Sequence, residues 1–223
     1  MDEFSRLVAT IRPLLDARIQ MDGGAISDDH HPFNDTEWQQ VARANHKRQR
    51  EFVCGRHHAH RLLDTLGFAD SIIGRDDRGC PLWPAGIVGS ISHTSDFCIA
   101  MLARAEQFQS VGVDLEESGR LKPSLWPRLF SQAEVADLGS IADPVEQIRR
   151  AAIMFSAKEA FYKCDYPVNQ RSYDFMDLRV SIDQQSRRLT LHLDGSEQQL
   201  QHHAVYASGM THVVTAVYLD GRS

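Results

Sequence analysis

The fold is decided by Phe155-Ser-Ala-Lys-Glu-Ala-Phe-Tyr-Lys163, which closes a long helix that the sequence predicts. Asp143 can cap that helix, and Pro144 suits its first position. Residues four apart share one face of a helix, so the apolar stripe through this stretch continues into Glu159 and Lys163. Because a core-facing stripe rarely ends in charge without a partner, we expect a polar site between this helix and a neighbouring element.

A second stretch, Val111-Gly-Val-Asp-Leu-Glu116, alternates as a β-strand does. Asp114 and Glu116 would share one face of that strand, roughly 6–7 Å apart. Two carboxylates so placed repel each other unless the site is wet or holds a positive charge. Together with Glu159 on the helix they supply three hard oxygen donors. Such donors suit Mg²⁺, which completes its shell with water and substrate phosphate.

Positive side chains crowd between His46 and Arg61, although the chain has a formal net charge of −6. Arg48 and Arg56 align on the predicted helix about 12 Å apart, so they could grip separate phosphates or one large anion. The alternative is a solvated helix face held by salt bridges, although neither arginine has an acid four residues away. No basic excess suggests nucleic acid as a partner.

A third motif, Trp83-Pro-Ala-Gly-Ile-Val-Gly-Ser-Ile-Ser-His93, precedes the other two. In this order and spacing, the three motifs resemble the signatures of the 4′-phosphopantetheinyl transferase family, over a region from about Arg48 to Lys163. The Trp83–His93 motif is similar to that of the branch containing enterobactin-synthase component D and the surfactin-type enzymes. Each motif alone is moderately specific, and their co-occurrence is far more so.

The resemblance implies an α+β fold of two similar α/β-layer halves related by a pseudo-twofold axis. It also implies an enzyme, a holo-[acyl-carrier-protein] synthase. In that reaction the 4′-phosphopantetheine arm of coenzyme A passes to a serine of an apo carrier domain, and 3′,5′-ADP leaves. The expected carrier is an acyl, peptidyl or aryl carrier domain, most simply of a nonribosomal siderophore synthetase. Asp114, Glu116 and Glu159 would hold the metal, Mg²⁺ or Mn²⁺.

The resemblance also suggests a role for each residue. Glu159 is the expected base for the serine hydroxyl, directly or through water, and Lys163 the expected stabiliser of the leaving group. Many relatives carry a lysine where this chain has Cys80, so Arg75 or Arg78 is expected to substitute. The full set expected to bind coenzyme A is Arg48, Arg56, Arg75, Arg78, Ser92, His93, Asp114, Glu159 and Lys163, with Ser92 and His93 beside the 3′-phosphate.

Two other functions stay open on the sequence. A Mg²⁺-dependent phosphoesterase that cleaves the coenzyme A pyrophosphate would use the same carboxylates and need no carrier surface. A non-catalytic coenzyme A-binding module would not need the acids intact. A carrier-docking surface is expected on Leu121–Phe130, where Leu125, Trp126 and Arg128 mix apolar and basic character, although a covering helix fits the same segment equally well.

The chain is expected to form one integrated, monomeric unit with halves at residues 1–110 and 111–223. Each half should contain helices followed by strands. The predicted elements of the first half are a helix over Phe4–Gln20, a loop over Met21–Asn34, a helix over Thr36–Leu66 stopped by Gly67, and four strands of which Phe97–Ala103 and Ser110–Glu116 form a hairpin. The second half should contain a helix over 144–164 and four strands between Leu178 and Tyr218.

The four cysteines form no C-x-x-C pair, and no apolar run approaches the ~18 residues of a membrane span. With no signal-like N-terminal pattern, we expect a cytoplasmic protein with reduced thiols. The eleven histidines raise the question of zinc. Because His57, His58 and His60 lie on a predicted helix without a matching cysteine motif, they are expected to face the surface or an anion.

Overall fold

Two antiparallel sheets, each backed by one long helix, organise the computed structural model, which describes residues 1–194 and 200–221. The first half contains a three-stranded sheet, and the second a five-stranded sheet. The predicted α+β class and its two similar halves are therefore confirmed.

The first half has its sheet in the order β1–β5–β4, with helix α3 packed mainly on β5 and β1. Asn45 caps α3 by accepting from Arg48 N, and Gly67 ends it in the left-handed region at φ 86°. Its elements are α1 (Glu3–Ile11), β1 (Gln20–Ala25), α2 (Asp35–Gln39), α3 (His46–Leu66), β2 (Gly74–Arg75), β3 (Pro81–Leu82), β4 (Ile87–His93) and β5 (Phe97–Arg104).

The second half has its sheet in the order β6–β10–β9–β8–β7, with helix α6 lying across β6 and β10. As predicted, Asp143 caps α6 and Pro144 takes its first position. Its elements are β6 (Phe108–Glu117), α4 (Trp126–Leu129), α5 (Gln132–Gly139), α6 (Pro144–Asn169), β7 (Leu178–Asp183), β8 (Arg188–Leu193), β9 (His203–Ser208) and β10 (His212–Asp220).

A hydrophobic core joins the two halves. Ile99 and Met101 on β5 belong to the same buried cluster as Val113 on β6 and Val214 on β10. Phe4 on α1 belongs to this cluster too. Separate clusters lie under α3 and under α6. Strand β6 therefore belongs to the second sheet by hydrogen bonding and to the shared core by its side chains.

Several predicted boundaries were wrong. The first helix ends at Ile11, because Pro13 converts the next residues to a short 3₁₀ turn. The segment predicted as a loop contains β1, whose two glycines gave no strand signal. The long helix over 36–66 is two helices, since Asn45 starts a new one. Conversely, α6 continues past Pro167.

The predicted β5–β6 hairpin was also wrong. Strand β5 pairs with β1 and β4 on its two edges, so no edge remains for β6, which pairs with β10 instead. Alternating sequence alone gives the strands but not their partners. Across residues 1–194 and 200–221, no helix is both long and apolar enough to cross a lipid bilayer.

The expectation of four reduced thiols is contradicted for two of them. Cys54 on α3 and Cys98 on β5 form a disulfide, whereas Cys80 and Cys164 are free. The bonded pair is 44 residues apart in sequence. Only the packing of α3 against β5 brings the sulfurs together, so local spacing could not reveal the pair.

Candidate functional site

A close approach of helix α6 to strand β6 fixes the geometry of the site. A Cβ on Gly112 would collide with the backbone carbonyl of Ala160 and the backbone nitrogen of Cys164. The helix can therefore lie directly on the strand only because residue 112 has no side chain. This contact places Glu159 and Lys163, one turn apart, next to the strand residues that follow Gly112.

Lys163 contacts the strand carboxylate that the sequence singled out. Its Nζ lies 2.6 Å from Asp114 Oδ1, 3.0 Å from Ser92 Oγ and 3.3 Å from the Val113 carbonyl oxygen. Ser92 also donates to Asp114 Oδ1 at 2.9 Å. Asp114 is 2% exposed, and its Oδ2 is buried without a hydrogen-bond partner. The site thus combines one paired and one unpartnered carboxylate oxygen.

The other two predicted metal ligands have perturbed acidities. Burial, and after it the charge of Asp114, raise the pKa of Glu116 to about 7. Burial also raises the pKa of Glu159; Lys163 opposes this shift, and Asp114 adds to it. The charge of Asp114 therefore disfavours the charged forms of both Glu116 and Glu159, as expected for acids that share one site.

These acids fit a hard divalent cation in their chemistry. The unpartnered Asp114 Oδ2 and the mutual repulsion of the three side chains are both relieved by positive charge. Within the described part of the chain, this trio is not one of the groups whose ligand atoms all lie within 4.8 Å of one another. In this structure the ammonium of Lys163 pairs with Asp114 Oδ1 and neutralises its charge.

A cavity of about 410 Å³ opens beside Lys163. Residues of both halves line it, which agrees with the expected cleft between them. Trp83 forms one wall and is fixed by donating its indole N–H to the Gly89 carbonyl at 2.8 Å. The lining residues are Arg78, Gly79, Cys80, Pro81, Leu82, Trp83, Ile87, Val88, Gly89, Ser90, Ile91, Ser110, Lys163 and Pro167.

A second pocket continues from the first and contains the predicted phosphate-binding residues. It shares Gly79, Pro81 and Ile91 with the larger cavity, and is otherwise lined by Arg48, Glu51, Phe52, Arg56, Arg75 and His93. One continuous surface therefore runs from a cluster of arginines to Lys163.

At the arginine end, Arg48 Nη1 donates to His93 Nε2 at 2.6 Å, which requires a neutral imidazole. Burial lowers the pKa of His93; Glu51 opposes this and Arg48 adds to it. Glu51 lies 3.6 Å from both partners, a link that the helical stripe did not predict because it is three residues from Arg48. Ser92 was expected here too, but it faces Asp114, because neighbouring strand residues point to opposite sides.

Arg56 is more deeply buried than a freely accessible phosphate ligand. It is 6% exposed, donates to the Gly74 carbonyl at 3.3 Å and lies 3.8 Å from Glu37. Burial lowers its pKa to about 10, with Glu37 opposing the shift. Glu37 also accepts from His60 at 2.9 Å, a buried network that the sequence did not reveal. The structure therefore places Arg56 in the pocket wall.

The turn between β2 and β3 carries the two arginines expected to compensate for Cys80. Arg75 is exposed and lines the smaller pocket. Arg78 lines the larger cavity, donates to Ser172 at 3.2 Å and lies over the Tyr166 ring. Cys80 follows both in the chain and is half-buried, and its backbone N–H donates to Asp76. Both arginines are thus placed along the cleft.

Lys158, in the same sequence motif as Glu159 and Lys163, has a structural position. Its Nζ is fully buried and donates to Glu134 at 2.9 Å, to the Leu129 carbonyl at 3.0 Å and to the Phe175 carbonyl at 2.7 Å. Burial lowers its pKa, and Glu134 opposes that shift. It therefore ties α6 to α5 and to the segment before β7.

Two surface expectations were wrong in part. Trp126 and Phe130 are 5% and 1% exposed and belong to the core under α6, so the segment 121–130 is chiefly a covering element. Leu121 and Leu129 are half-buried against the same core, and the remaining members, among them Leu125 and Arg128, are exposed. His58 and His60 are buried and paired with Asp22 and Glu37, not surface residues. In each case the sequence pattern was polar or amphipathic, although side chains of the segment are buried in the structure.

Two family models match the chain. Residues 36–103 match the 4′-phosphopantetheinyl transferase N-terminal domain, and residues 110–217 match the 4′-phosphopantetheinyl transferase superfamily. Together they cover α3, the turn with Arg75 and Arg78, and every element around Asp114.

Two of three curated relatives carry the name of this family. The chain is 34% identical to 4′-phosphopantetheinyl transferase PptT of Mycobacterium tuberculosis over 146 residues, 66% of this chain and 63% of that protein. It is 31% identical to Npt of Nocardia iowensis over 143 residues, 64% and 63% of the two chains. It is 34% identical to enterobactin synthase component D of Salmonella typhi over 124 residues, 54% and 49%. The matches thus span less than two thirds of these relatives' length.

A solved structure shows a more distant similarity. The holo-(acyl-carrier-protein) synthase of Bacillus anthracis, in complex with CoA (3′,5′-ADP), aligns with a TM-score of 0.43 and 20% identity, covering 52% of this chain and 99% of that one. The family assignment rests on the two family models and the curated relatives. The chain belongs to the 4′-phosphopantetheinyl transferase family.

Proposed function

We propose that this protein transfers the 4′-phosphopantetheine arm of coenzyme A to a serine hydroxyl of an apo carrier domain and releases 3′,5′-ADP. The observation that carries the proposal is the continuous surface from Arg48 and His93 to Lys163, which ends at three acidic side chains. Its two ends match the two chemical ends of the reaction: a phosphate-binding end and an end that can act on a diphosphate.

At the acidic end, Asp114, Glu116 and Glu159 would hold Mg²⁺ or Mn²⁺, and the bound ion would neutralise diphosphate charge. Glu159 would accept the proton of the serine hydroxyl, directly or through water; its raised pKa suits a general base. Lys163 would donate to the leaving diphosphate oxygen as the phosphorus–oxygen bond to 3′,5′-ADP breaks.

At the arginine end, Arg48 and His93 would donate to the 3′-phosphate, with Arg75 beside them. Arg56 supports this end from the pocket wall. Arg78 lies where it could contact the phosphates between the two ends. Residues 1–110 would thus bind the nucleotide part of coenzyme A, and residues 111–223 would supply the metal ligands and the catalytic helix. Ser92 would act where the two halves meet, by donating a hydrogen bond to Asp114.

The carrier would be an acyl, peptidyl or aryl carrier domain of a nonribosomal siderophore synthetase. The similarity to enterobactin synthase component D over 54% of the chain supports this choice. The exposed Leu125 and Arg128 would contact the carrier. The cytoplasmic location and the monomeric state stay predictions.

The decisive experiment incubates the protein with coenzyme A, Mg²⁺ and a panel of apo carriers and reads carrier mass. A carrier that gains one phosphopantetheine arm supports the proposal. Free phosphopantetheine from coenzyme A alone would indicate the phosphoesterase instead. Coenzyme A binding without either product would indicate a binding module.

Replacing the proposed base should abolish turnover. Glu159→Gln keeps the shape of the side chain but cannot accept a proton, so we expect carrier modification to fall roughly 10²- to 10⁴-fold. The measurement is the initial rate of carrier modification by mass spectrometry. Glu117→Gln is the matched control, because Glu117 lies next to the acidic site on β6 but bonds to Ser95. Equal rates for the two variants would contradict the assigned role.

A further inference from the structure

A cluster of two cysteines and two histidines lies between α3, β5 and the segment after β1, and its Cys98 is the strand partner of His93 across β4 and β5. The ligand atoms of His30, Cys54 and His58 all lie within 4.8 Å of one another. Cys98 is bonded to Cys54, so its sulfur reaches the same place. We call His30, Cys54, His58 and Cys98 the His–Cys cluster.

His58 is oriented as histidines that bind metals usually are. It is 5% exposed, and its Nδ1 lies 2.8 Å from Asp22 Oδ2. Its other nitrogen, Nε2, is buried and has no hydrogen-bond partner. A carboxylate on one ring nitrogen fixes the tautomer and raises the basicity of the other, which is the usual outer-shell arrangement at zinc. A buried imidazole nitrogen without a partner is otherwise costly.

The remaining members of the His–Cys cluster are also held in place. His30 stacks on His57 with ring centroids 4.2 Å apart. Cys54 is one helical turn before His58, so both point to the same side of α3. Cys98 pairs with Gly24 across β1 and β5, and a Cβ on Gly24 would lie only 3.3 Å from His58 Nε2. The glycine therefore keeps open the space in front of this nitrogen.

We propose that the protein, when its Cys54–Cys98 bond is reduced, binds one Zn²⁺ through the His–Cys cluster. Two thiolates and two imidazoles form one of the common tetrahedral sets of structural zinc. With Zn–S near 2.3 Å and Zn–N near 2.0–2.1 Å, ligand atoms in such a site are about 3.3–3.8 Å apart. The ligand atoms of His30, Cys54 and His58, which all lie within 4.8 Å of one another, need only small side-chain movements to reach this geometry.

The chemistry involves no electron transfer once the thiols are free. Zn²⁺ replaces the two thiol protons, which pass to solvent, and no bond forms between the sulfurs. In the experiment a phosphine reductant supplies the two electrons that open the disulfide and is itself oxidised. The bound ion would fasten the segment after β1 to α3, the helix that begins beside Arg48.

The test uses the full chain, reduced with a phosphine, freed of reductant without oxygen and mixed with Zn²⁺. After removal of free metal we expect one zinc per chain by elemental analysis. Co²⁺ in its place should give the visible absorption of a tetrahedral thiolate complex. Neither reading depends on transferase activity, so the zinc proposal and the proposed function fail separately.

The variants distinguish this site from adventitious binding. His58→Ala and Cys98→Ser should lose most of the affinity, measured by competition with a chromophoric chelator. His30→Ala changes a partly exposed loop residue, and should weaken binding while the circular dichroism stays unchanged. His46→Ala, at an exposed position of the same helix, is the matched control and should bind as the unmodified chain does. Equal zinc content in the control and in all three variants, or no zinc in the reduced chain, would overturn the proposal.

Discussion

At the scale of single residues, the spacing of four between Glu159 and Lys163 predicted that both side chains face a polar site, and Lys163 Nζ lies 2.6 Å from Asp114 Oδ1. The sequence could not show what each group contacts. Lys163 pairs with Asp114, and Ser92 turns toward the same carboxylate instead of toward Arg48. Such contacts depend on the distance between α6 and β6, which no local pattern encodes.

The acidity of Glu116 makes metal binding depend on pH. Because burial and Asp114 raise its pKa to about 7, protons compete with a cation for this carboxylate near neutrality. We expect Mg²⁺ affinity, measured by calorimetry, to fall as the pH drops below about 7, by up to roughly tenfold per pH unit. Glu116→Gln should bind more weakly and lose this dependence. An unchanged pH profile in that variant would contradict the assignment.

Glu116 also makes the stability of the fold depend on pH, in the direction opposite to that of metal affinity. Its pKa is higher in the folded chain than the ordinary 4.5, so the folded state binds the proton more tightly. This contribution to the free energy of unfolding is fully present below about 4.5 and is lost as the pH rises through about 7. Chemical denaturation at a series of pH values without metal should show the decline, and Glu116→Gln should reduce it.

The buried ammonium of Lys158 should matter for folding rather than for chemistry. Lys158→Met would leave Glu134 charged and buried without its partner, so we expect a loss of about 3–5 kcal/mol in the free energy of unfolding. Denaturant titration measures the loss. Lys122→Met, at an exposed lysine, should change stability little. A catalytic role would instead give a stable variant with lowered turnover.

At the scale of elements, the strands β4, β5, β6 and β10, which are rich in apolar residues, were predicted within a few residues of their observed ends. Elements with weaker sequence signals were mispredicted, and the reasons are physical. The glycines of β1 have no side chains to display alternation, and the break before α3 depends on a single cap at Asn45. The pairing of the strands was the clearest error, because a sequence that can form a strand can pair equally well with the edges of several other strands.

The contact between α6 and β6 gives a prediction for this scale. Gly112→Ala would place a methyl group against the backbone of α6, where no side chain can move aside. We expect a loss of at least the roughly 1–3 kcal/mol typical of overpacking, together with lowered activity from the displaced helix. Thermal unfolding and the carrier assay measure the two effects. Gly119→Ala is the control, because its Cβ would meet nothing within 4 Å.

At the scale of the whole molecule, the resemblance predicted two similar halves, but only the structure shows that they share one buried hydrophobic core. The core that includes Phe4, Ile99, Val113 and Val214 draws on both sheets. The division near residue 110 therefore separates proposed roles along the cleft, while the two halves share their buried apolar surface. Neither half would keep that surface covered alone.

Consequently, residues 1–110 should not fold as an isolated fragment. Without β6 and β10, the shared core would be exposed to water. We expect the fragment to lack the dispersed NMR spectrum of a folded domain. The full chain should unfold in one transition, with the same midpoint by tryptophan fluorescence and by circular dichroism. A folded fragment, or two separate transitions, would contradict this account of the core.

The ammonium of Lys163 already serves as an internal counter-ion for Asp114. A divalent ion that bound Asp114 Oδ1 as well as the unpartnered Oδ2 would displace the lysine, and the released amine would then need a new anionic partner. The diphosphate of coenzyme A would provide one. Each of the two ligands would thus lower the cost of admitting the other, and by thermodynamic reciprocity the gain in affinity must be equal in both directions.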